Sequence, residues 1–61
     1  MSPVAIRKAR VAAGLSAAAL ARLLGVAEST VRRWEAGGRT PSDDTARRIA
    51  RALGVGVEVL R

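Results

Sequence analysis

The sequence predicts a single all-α domain, a bundle of five short helices. Three observations predict it: the chain has 61 residues, glycines follow stretches of good helix formers at regular intervals, and apolar residues recur at spacings of three and four. A chain of this length folds as one domain, and this spacing is that of a helix with one buried face. We therefore assign residues 1–61 to one domain.

Serines and glycines mark where the predicted helices start and stop. Three starts have a serine where an N-cap side chain is favoured, namely Ser2, Ser16 and Ser42. The ends have glycine, which readily adopts the left-handed conformation beyond a helix, at Gly14, Gly25, Gly37 and Gly54. The predicted helices span 3–13, 17–24, 28–36, 43–53 and a short 57–61. A strand over 55–59 is the weaker alternative, because that segment is short and contains a glycine.

Each predicted helix has an inward apolar face. In the first, second and fourth helices these faces comprise Ile6, Ala9, Ala13, Leu20, Ala21, Leu24, Ala46, Ile49, Ala50 and Leu53. In the third helix, a rotation of about 100° per residue groups Ala27, Val31 and Trp34 on the inner side. The same rotation leaves a polar outer face of Glu28, Ser29, Arg32, Arg33 and Ala36.

The charge indicates a polyanionic partner. Lys and Arg exceed Asp and Glu by six, and ten of the eleven cations are Arg, which grips phosphate or guanine through two parallel hydrogen bonds. On charge alone, a solvated positive surface is an equal alternative. The chain has neither His nor Cys, which excludes a disulfide, a Cys/His zinc site and a Ser-His-Asp or Cys-His nucleophile. We expect no enzymatic activity, no metal and no cofactor.

The apolar segments are too short for a membrane protein. The longest uncharged run, 11–21, has eleven residues, whereas a spanning helix needs about 20. No secretory signal follows the N-terminal charges, so we expect a cytoplasmic protein. A basic amphipathic peptide that acts on membranes is disfavoured, because the chain has one aromatic residue to anchor it.

The second helix, a tight turn and the third helix follow one another in a helix-turn-helix layout. Ala21 allows two helices to approach closely, and Gly25 permits the turn. The outer face of the third helix has short side chains, two arginines and no large apolar group, which suits entry into the major groove of DNA. The alternative is a solvated face with an ion pair between Glu28 and Arg32. Because the third helix lies in a helix-turn-helix layout on a basic domain, we favour its interpretation as a recognition helix.

The whole chain resembles the helix-turn-helix domain of the phage repressor/Cro family, also called XRE. The residues that carry the resemblance are Ile6-Arg7, Arg10, Gly14-Leu15-Ser16, Leu20-Ala21, Leu23-Leu24-Gly25-Val26, Ser29-Thr30-Val31, Arg33-Trp34-Glu35, Gly37, Pro41-Ser42, Thr45, Ile49-Ala50 and Ala52-Leu53-Gly54-Val55. The resemblance implies a five-helix domain that binds double-stranded DNA as a dimer on pseudo-palindromic operators. Proteins of this family are usually transcriptional repressors.

The resemblance also implies roles for individual residues. The base-reading residues would be Glu28, Ser29, Arg32 and Arg33. Arg33 suits guanine, and the Glu28 carboxylate can accept from the amino group of cytosine. Contacts to the DNA backbone would come from Ala17, Thr30, Gly38, Arg39 and Thr40, with Ala17 using the N–H groups of its helix end. Arg10 and Glu35 resemble a structural pair that joins the first helix to the third.

Three residues of the DNA-facing surface support a second hypothesis. The family often has Gln at the position of Ala17 and a hydroxyl N-cap at the position of Ala27, and Glu28 repels phosphates unless it finds a cytosine, so this surface is weaker. An antitoxin or adaptor that binds a toxin or another protein is therefore the alternative. At the C-terminal end, Val57, Val59 and Leu60 either form a homodimer contact or close the core, and a fragment of a longer protein is a further alternative.

Overall fold

Four α-helices and one 3₁₀ turn follow one another along the chain. The computed structural model describes all of residues 1–61. The elements are α1 (Pro3–Ala12), α2 (Ala17–Leu24), α3 (Glu28–Ala36), α4 (Asp43–Leu53) and a 3₁₀ turn (Val57–Leu60). The prediction of an all-helical domain is confirmed, but the count of five helices is not, because the fifth segment is a 3₁₀ turn. In the last segment, the N–H groups of Val59 and Arg61 donate to carbonyls three residues earlier, which is the 3₁₀ pattern.

Side-chain caps explain why three of the helices begin where they do. The hydroxyls of Ser2, Ser16 and Ser42 each accept a hydrogen bond from the N–H three residues later, at 3.3, 3.0 and 3.3 Å. The remaining helix, α3, begins after Ala27 and has no side-chain cap. Three of the four N-termini are therefore satisfied locally, and α3 depends on its packing.

The core lies where the inner faces of all four helices meet. Twelve buried residues form one cluster: Ile6, Ala9, Ala17, Leu20, Ala21, Leu24, Val31, Trp34, Ile49, Ala50, Leu53 and Leu60. Ala46 is also buried. Two predicted inner residues, Ala13 and Ala27, are instead exposed. Both lie outside the observed helices, at the C-cap of α1 and the N-cap of α3, so the helical rotation used to place them does not extend to them.

Long-range hydrogen bonds connect the ends of the elements. The N–H of Ser2 donates to the carbonyl of Leu60 at 2.9 Å, so the start of α1 is attached to the 3₁₀ turn. The guanidinium of Arg48 on α4 donates to the carbonyl of Leu24 at 2.5 Å. Leu24 is the last residue of α2, so this bond ties α4 to the end of the helix that precedes the turn. No helix here combines the length and apolar character needed to cross a membrane.

Candidate nucleic-acid interface

A three-residue turn places α3 across the end of α2. Gly25 has a φ of 71°, which is costly for any residue with a Cβ. In the same turn, the N–H of Val26 donates to the carbonyl of Ala21 at 3.0 Å, which closes the C-terminus of α2. Val31 and Trp34 then bury the inner face of α3, with 0% and 4% of their surfaces exposed. This burial determines which side of α3 faces solvent.

The solvent face of α3 contains all four predicted base-reading residues. Ser29, Arg32 and Arg33 are exposed, and Glu28 is half-buried. A helix of nine residues is about 14 Å long at 1.5 Å per residue. With its side chains it is about as wide as the major groove of B-DNA. The structure therefore presents these residues together on one helix face of suitable size.

The two arginines on this face differ in their partners. The Nε of Arg32 donates to Oε2 of Glu28 at 2.8 Å, and its Nη2 contacts the same oxygen. The guanidinium of Arg33 has no hydrogen bond or ion pair within the protein. All five of its N–H donors are thus available to an external acceptor. The ion pair that was the alternative interpretation of this face is present, and an unpaired arginine lies beside it.

The loop after α3 offers fewer free donors than the sequence implied. The N–H of Gly38 donates to the carbonyl of Arg33 at 3.0 Å, and that of Gly37 donates to Trp34 at 3.3 Å. These bonds close the C-terminus of α3, so the N–H of Gly38 is already in use. Arg39 and Thr40 keep free N–H groups and are both exposed. Contacts from this loop to phosphate therefore fall to those two residues.

Three of the predicted backbone-contacting residues line one surface cleft. Thr30 on α3 meets Arg39 and Thr40 there, and Ser42 and Thr45 at the start of α4 complete its polar wall. Hydroxyls and a guanidinium are the groups that contact phosphate oxygens in protein–DNA complexes. The structure thus brings together a set that the sequence had placed on two separate elements.

Ala17 contributes backbone rather than side chain. Ala17 as a whole is 9% exposed and belongs to the core. The Ser16 hydroxyl accepts from the N–H of Ala19, while the N–H groups of Ala17 and Ala18 have no partner within the protein. The positive end of the α2 dipole and two free donors therefore remain at this end of the helix.

Arg10 and Glu35 join α1 to α3, as the family resemblance implied. Arg10 also donates through Nη1 to the carbonyl of Leu15 at 2.8 Å, which fixes the loop between α1 and α2. The hydrogen bond to Glu35 raises the pKa of the Arg10 guanidinium above its ordinary value, more than burial lowers it. A raised pKa keeps the Arg10 guanidinium charged throughout the neutral range.

Sequence reasoning gave no role to Arg7. This exposed residue lines a cleft with Arg10, Arg32 and Glu35 at the junction of α1 and α3. Arg7 has no ion-pair partner, so an unpaired cation lies beside the paired Arg32. The only signal in the sequence was its position one turn before Arg10, on a helix that had no assigned DNA contact.

Comparison with known proteins identifies the domain type. The model of the family described as helix-turn-helix, which includes the XRE-type proteins, matches residues 6–60. That match spans the whole bundle from the first core residue to the last. The comparison with curated proteins gives no significant match.

Two solved structures of one protein, HppE, have the same fold. Apo-HppE superposes with a TM-score of 0.88 at 34% identity, covering 95% of this chain and 33% of that one. A complex of iron(II) HppE with substrate gives the same score and identity, with 34% of the HppE chain covered. This chain therefore spans about a third of the length of HppE, and the likeness is to that portion alone.

Proposed function

The chain belongs to the XRE-type helix-turn-helix family, and from that premise we propose that it is a sequence-specific DNA-binding domain of a transcriptional repressor. Helix α3 enters the major groove. Arg33 reads guanine, Glu28 accepts from cytosine, Ser29 contacts a neighbouring base edge, and Arg32 reaches a base edge or a phosphate beside them. The family assignment supports DNA binding and transcription regulation in general, and the choice of residues is our inference from the surface of α3.

The observation that carries this proposal is the unpaired guanidinium of Arg33. It is exposed and unpaired within the protein, on the side of α3 away from the buried Val31 and Trp34. An arginine with all its donors free matches the O6 and N7 acceptors of guanine, the most frequent specific contact in protein–DNA complexes. No other base-reading candidate combines a long reach with an unused set of donors.

Contacts to the DNA backbone fix the position of α3 in the groove. Arg39, Thr40 and Thr30 hold phosphates on one side, through the cleft that they share. The free N–H groups of Ala17 and Ala18 at the start of α2 hold another phosphate, as helix N-termini commonly do. The net charge of +6 adds a sequence-independent attraction that weakens as salt rises.

We further propose that the protein binds DNA as a homodimer through its C-terminal end. Val59 is 51% exposed, whereas Leu60 next to it is fully buried. Leu60 closes the core, and the exposed side chain of Val59 supports a contact with a second copy. The protein acts in the cytoplasm, at the nucleoid.

A comparison of two arginine variants tests the proposed function. Arg33→Ala is compared with Arg51→Ala, which removes the same charge from an exposed position near the end of α4. On the preferred duplex, Arg33→Ala weakens binding by about 1–3 kcal/mol and relaxes one base position, while Arg51→Ala has a smaller effect that is equal on all duplexes. Equal losses on preferred and random duplexes for Arg33→Ala would show that Arg33 contacts phosphate and does not read a base.

An exposed apolar strip on α1 favours a second candidate, a protein-binding module of the antitoxin or adaptor type. Val4 and Val11 are 62% and 59% exposed and line one cleft with Ala12, Arg7 and Lys8. These valines are seven residues apart, on the same side of the helix. Val4→Ser with Val11→Ser would abolish capture of a stoichiometric protein partner but leave duplex binding intact. Loss of duplex binding in this variant would instead make α1 part of the DNA-binding surface.

We propose a binding role and not a catalytic one for this domain. It has neither His nor Cys, so the nucleophiles and zinc sites built from those residues are excluded. In HppE, a domain of this fold is one third of the chain. The activity of HppE as a whole is therefore no guide to this domain.

A further inference from the structure

The ion pair on the outer face of α3 suggests how the protein rejects the wrong DNA. Glu28 and Arg32 are one helical turn apart, and Nε and Nη2 of Arg32 both contact the same carboxylate oxygen of Glu28. Their side chains are 42% and 69% exposed, respectively. Glu28 thus neutralises one of the two cations on this face and leaves Arg33 unpaired.

Pairing with Glu28 keeps Arg32 from binding phosphate together with a neighbouring arginine. Arg32 lines the cleft at the α1–α3 junction together with Arg7, which has no ion-pair partner. The cleft also contains Arg10 and Glu35, which pair with each other. Arg7 and Arg32 are therefore the two guanidinium groups left to bind an anion there, because arginine matches phosphate geometry through paired donors. Glu28 holds one of those two groups and repels phosphate itself. The free protein is therefore a poorer phosphate binder than its arginine count implies.

The ion pair between Glu28 and Arg32 is also weak enough for each residue to exchange its partner for a group of the DNA. Exposed ion pairs one turn apart contribute little to stability, since water solvates both partners well. An amino group of cytosine in the groove offers the Glu28 carboxylate an alternative donor. A phosphate of the DNA backbone offers Arg32 an alternative acceptor. Both exchanges are favourable together only where a cytosine lies opposite Glu28.

We propose that Glu28 is a specificity-determining residue that restrains Arg32 on non-cognate DNA. The inference deepens the proposed function and rests on it. On random sequence, separating the pair would leave the Glu28 carboxylate without a donor beside phosphates, so Arg32 stays paired with Glu28 and contributes no net charge to phosphate binding. On cognate sequence, the amino group of cytosine donates to the Glu28 carboxylate in place of Arg32. Arg32 then binds a phosphate, with Arg7 beside it. The cost of the wrong base is thus a lost backbone contact as well as a lost base contact.

The test is the salt dependence of binding to random duplex DNA. The variant Glu28→Gln keeps the size of the side chain and releases Arg32. Each added phosphate contact steepens the plot of log K against log salt by about 0.9. We expect that steepening for Glu28→Gln, with about three- to tenfold tighter binding of random duplex at low salt and a smaller ratio of preferred to random affinity.

The chain contains a matched control on another helix. Asp44 lies in the first turn of α4 and accepts from Arg47 at 3.0 Å, so Asp44→Asn also removes one acid and releases one arginine. We expect an unchanged salt slope for this control. Thermal unfolding of both variants checks that the helices are intact, since both acids lie near the positive end of a helix dipole.

The double variant Glu28→Gln with Arg32→Ala identifies the source of the effect. We expect the slope to return to that of the original protein, because the released arginine is gone. A slope that stays steep in the double variant would overturn the inference that Glu28 restrains Arg32. So would a slope that does not steepen in Glu28→Gln although the original protein binds duplex DNA. Neither result would overturn the proposed function. Absence of duplex binding by the original protein at low salt would overturn both this inference and the proposed function.

Discussion

Arg10 and Glu35, 25 residues apart in the chain, form two parallel hydrogen bonds between α1 and α3. Nε of Arg10 donates to Oε2 of Glu35 at 2.6 Å, and Nη2 donates to Oε1 at 2.9 Å. Their side chains are only 13% and 11% exposed. This bidentate geometry resists rotation of α3 about its axis, and such a rotation would change the side of the domain on which Arg33 is exposed.

Breaking that pair should destabilise the domain. Glu35→Ala leaves the guanidinium of Arg10 nearly buried and unpaired, and we expect the free energy of unfolding to fall by about 2–3 kcal/mol. Urea denaturation, monitored by circular dichroism, measures this free energy of unfolding. Arg47→Ala, which breaks the exposed pair with Asp44, should leave the urea midpoint almost unchanged. Equal effects of the two variants would mean that the Arg10–Glu35 pair is no more than a surface contact.

Supplying the missing cap of α3 should stabilise the domain. Ala27 already has the extended backbone of an N-cap residue, with φ −73° and ψ 148°, but no side chain that can accept a hydrogen bond. Ala27→Ser should therefore add about 1 kcal/mol of stability. Ser42→Ala, which removes the corresponding cap of α4, should cost a similar amount. A melting temperature that falls or stays constant in Ala27→Ser would show that the start of α3 is held by other contacts.

The turn between α2 and α3 requires glycine for its backbone, not for space. An added Cβ at Gly25 would meet nothing within 4 Å, but its φ is +71°. Gly25→Ala should therefore cost about 1–2 kcal/mol through backbone strain alone. Gly38, whose φ is not in the left-handed range, is the control, and its added Cβ would come no closer than 3.8 Å to the carbonyl oxygen of Arg33. Thermal unfolding of Gly38→Ala should resemble that of the original protein, and a larger loss there than at Gly25 would contradict the backbone argument.

The two apolar residues at the C-terminal end should separate folding from dimerisation. Leu60 is fully buried, so Leu60→Ala should lower the free energy of unfolding by about 2–5 kcal/mol. Val59→Ala should leave the monomer almost as stable, because Val59 is half exposed, but should weaken dimerisation on DNA. Sedimentation with and without operator duplex measures the second effect. A Val59→Ala variant that dimerises on DNA as well as the original protein would remove the C-terminal end from the dimer contact.

Helix positions could be predicted almost to the residue from the sequence. Three serine caps and the glycines after each helix are local signals, so the predicted and observed bounds of α2, α3 and α4 agree, and α1 ends one residue early. Ala13 and Ala27 were misplaced because an angular argument holds only inside a helix. The last segment was predicted as a helix, but it is too short for α-helical hydrogen bonds and forms a 3₁₀ turn.

The candidate site was predictable in part. The outer face of α3 follows from helical rotation once Val31 and Trp34 are placed inside. By contrast, the bond from Arg48 to the carbonyl of Leu24 and the cleft shared by Arg7 and Arg32 depend on how separate helices pack. No local pattern in the sequence encodes these contacts. The bond that occupies the N–H of Gly38 depends on the conformation that the chain adopts beyond α3, which residue types alone do not determine.

The central claim is that the exposed side of α3 reads base sequence, and selection from a random duplex library at physiological salt tests it most directly. We expect enrichment of a half-site that contains guanine, repeated in inverted orientation about one helical turn away. The guanine preference should disappear in a parallel selection with Arg33→Ala. A library that shows no enrichment after repeated rounds, even at low salt, would contradict the claim.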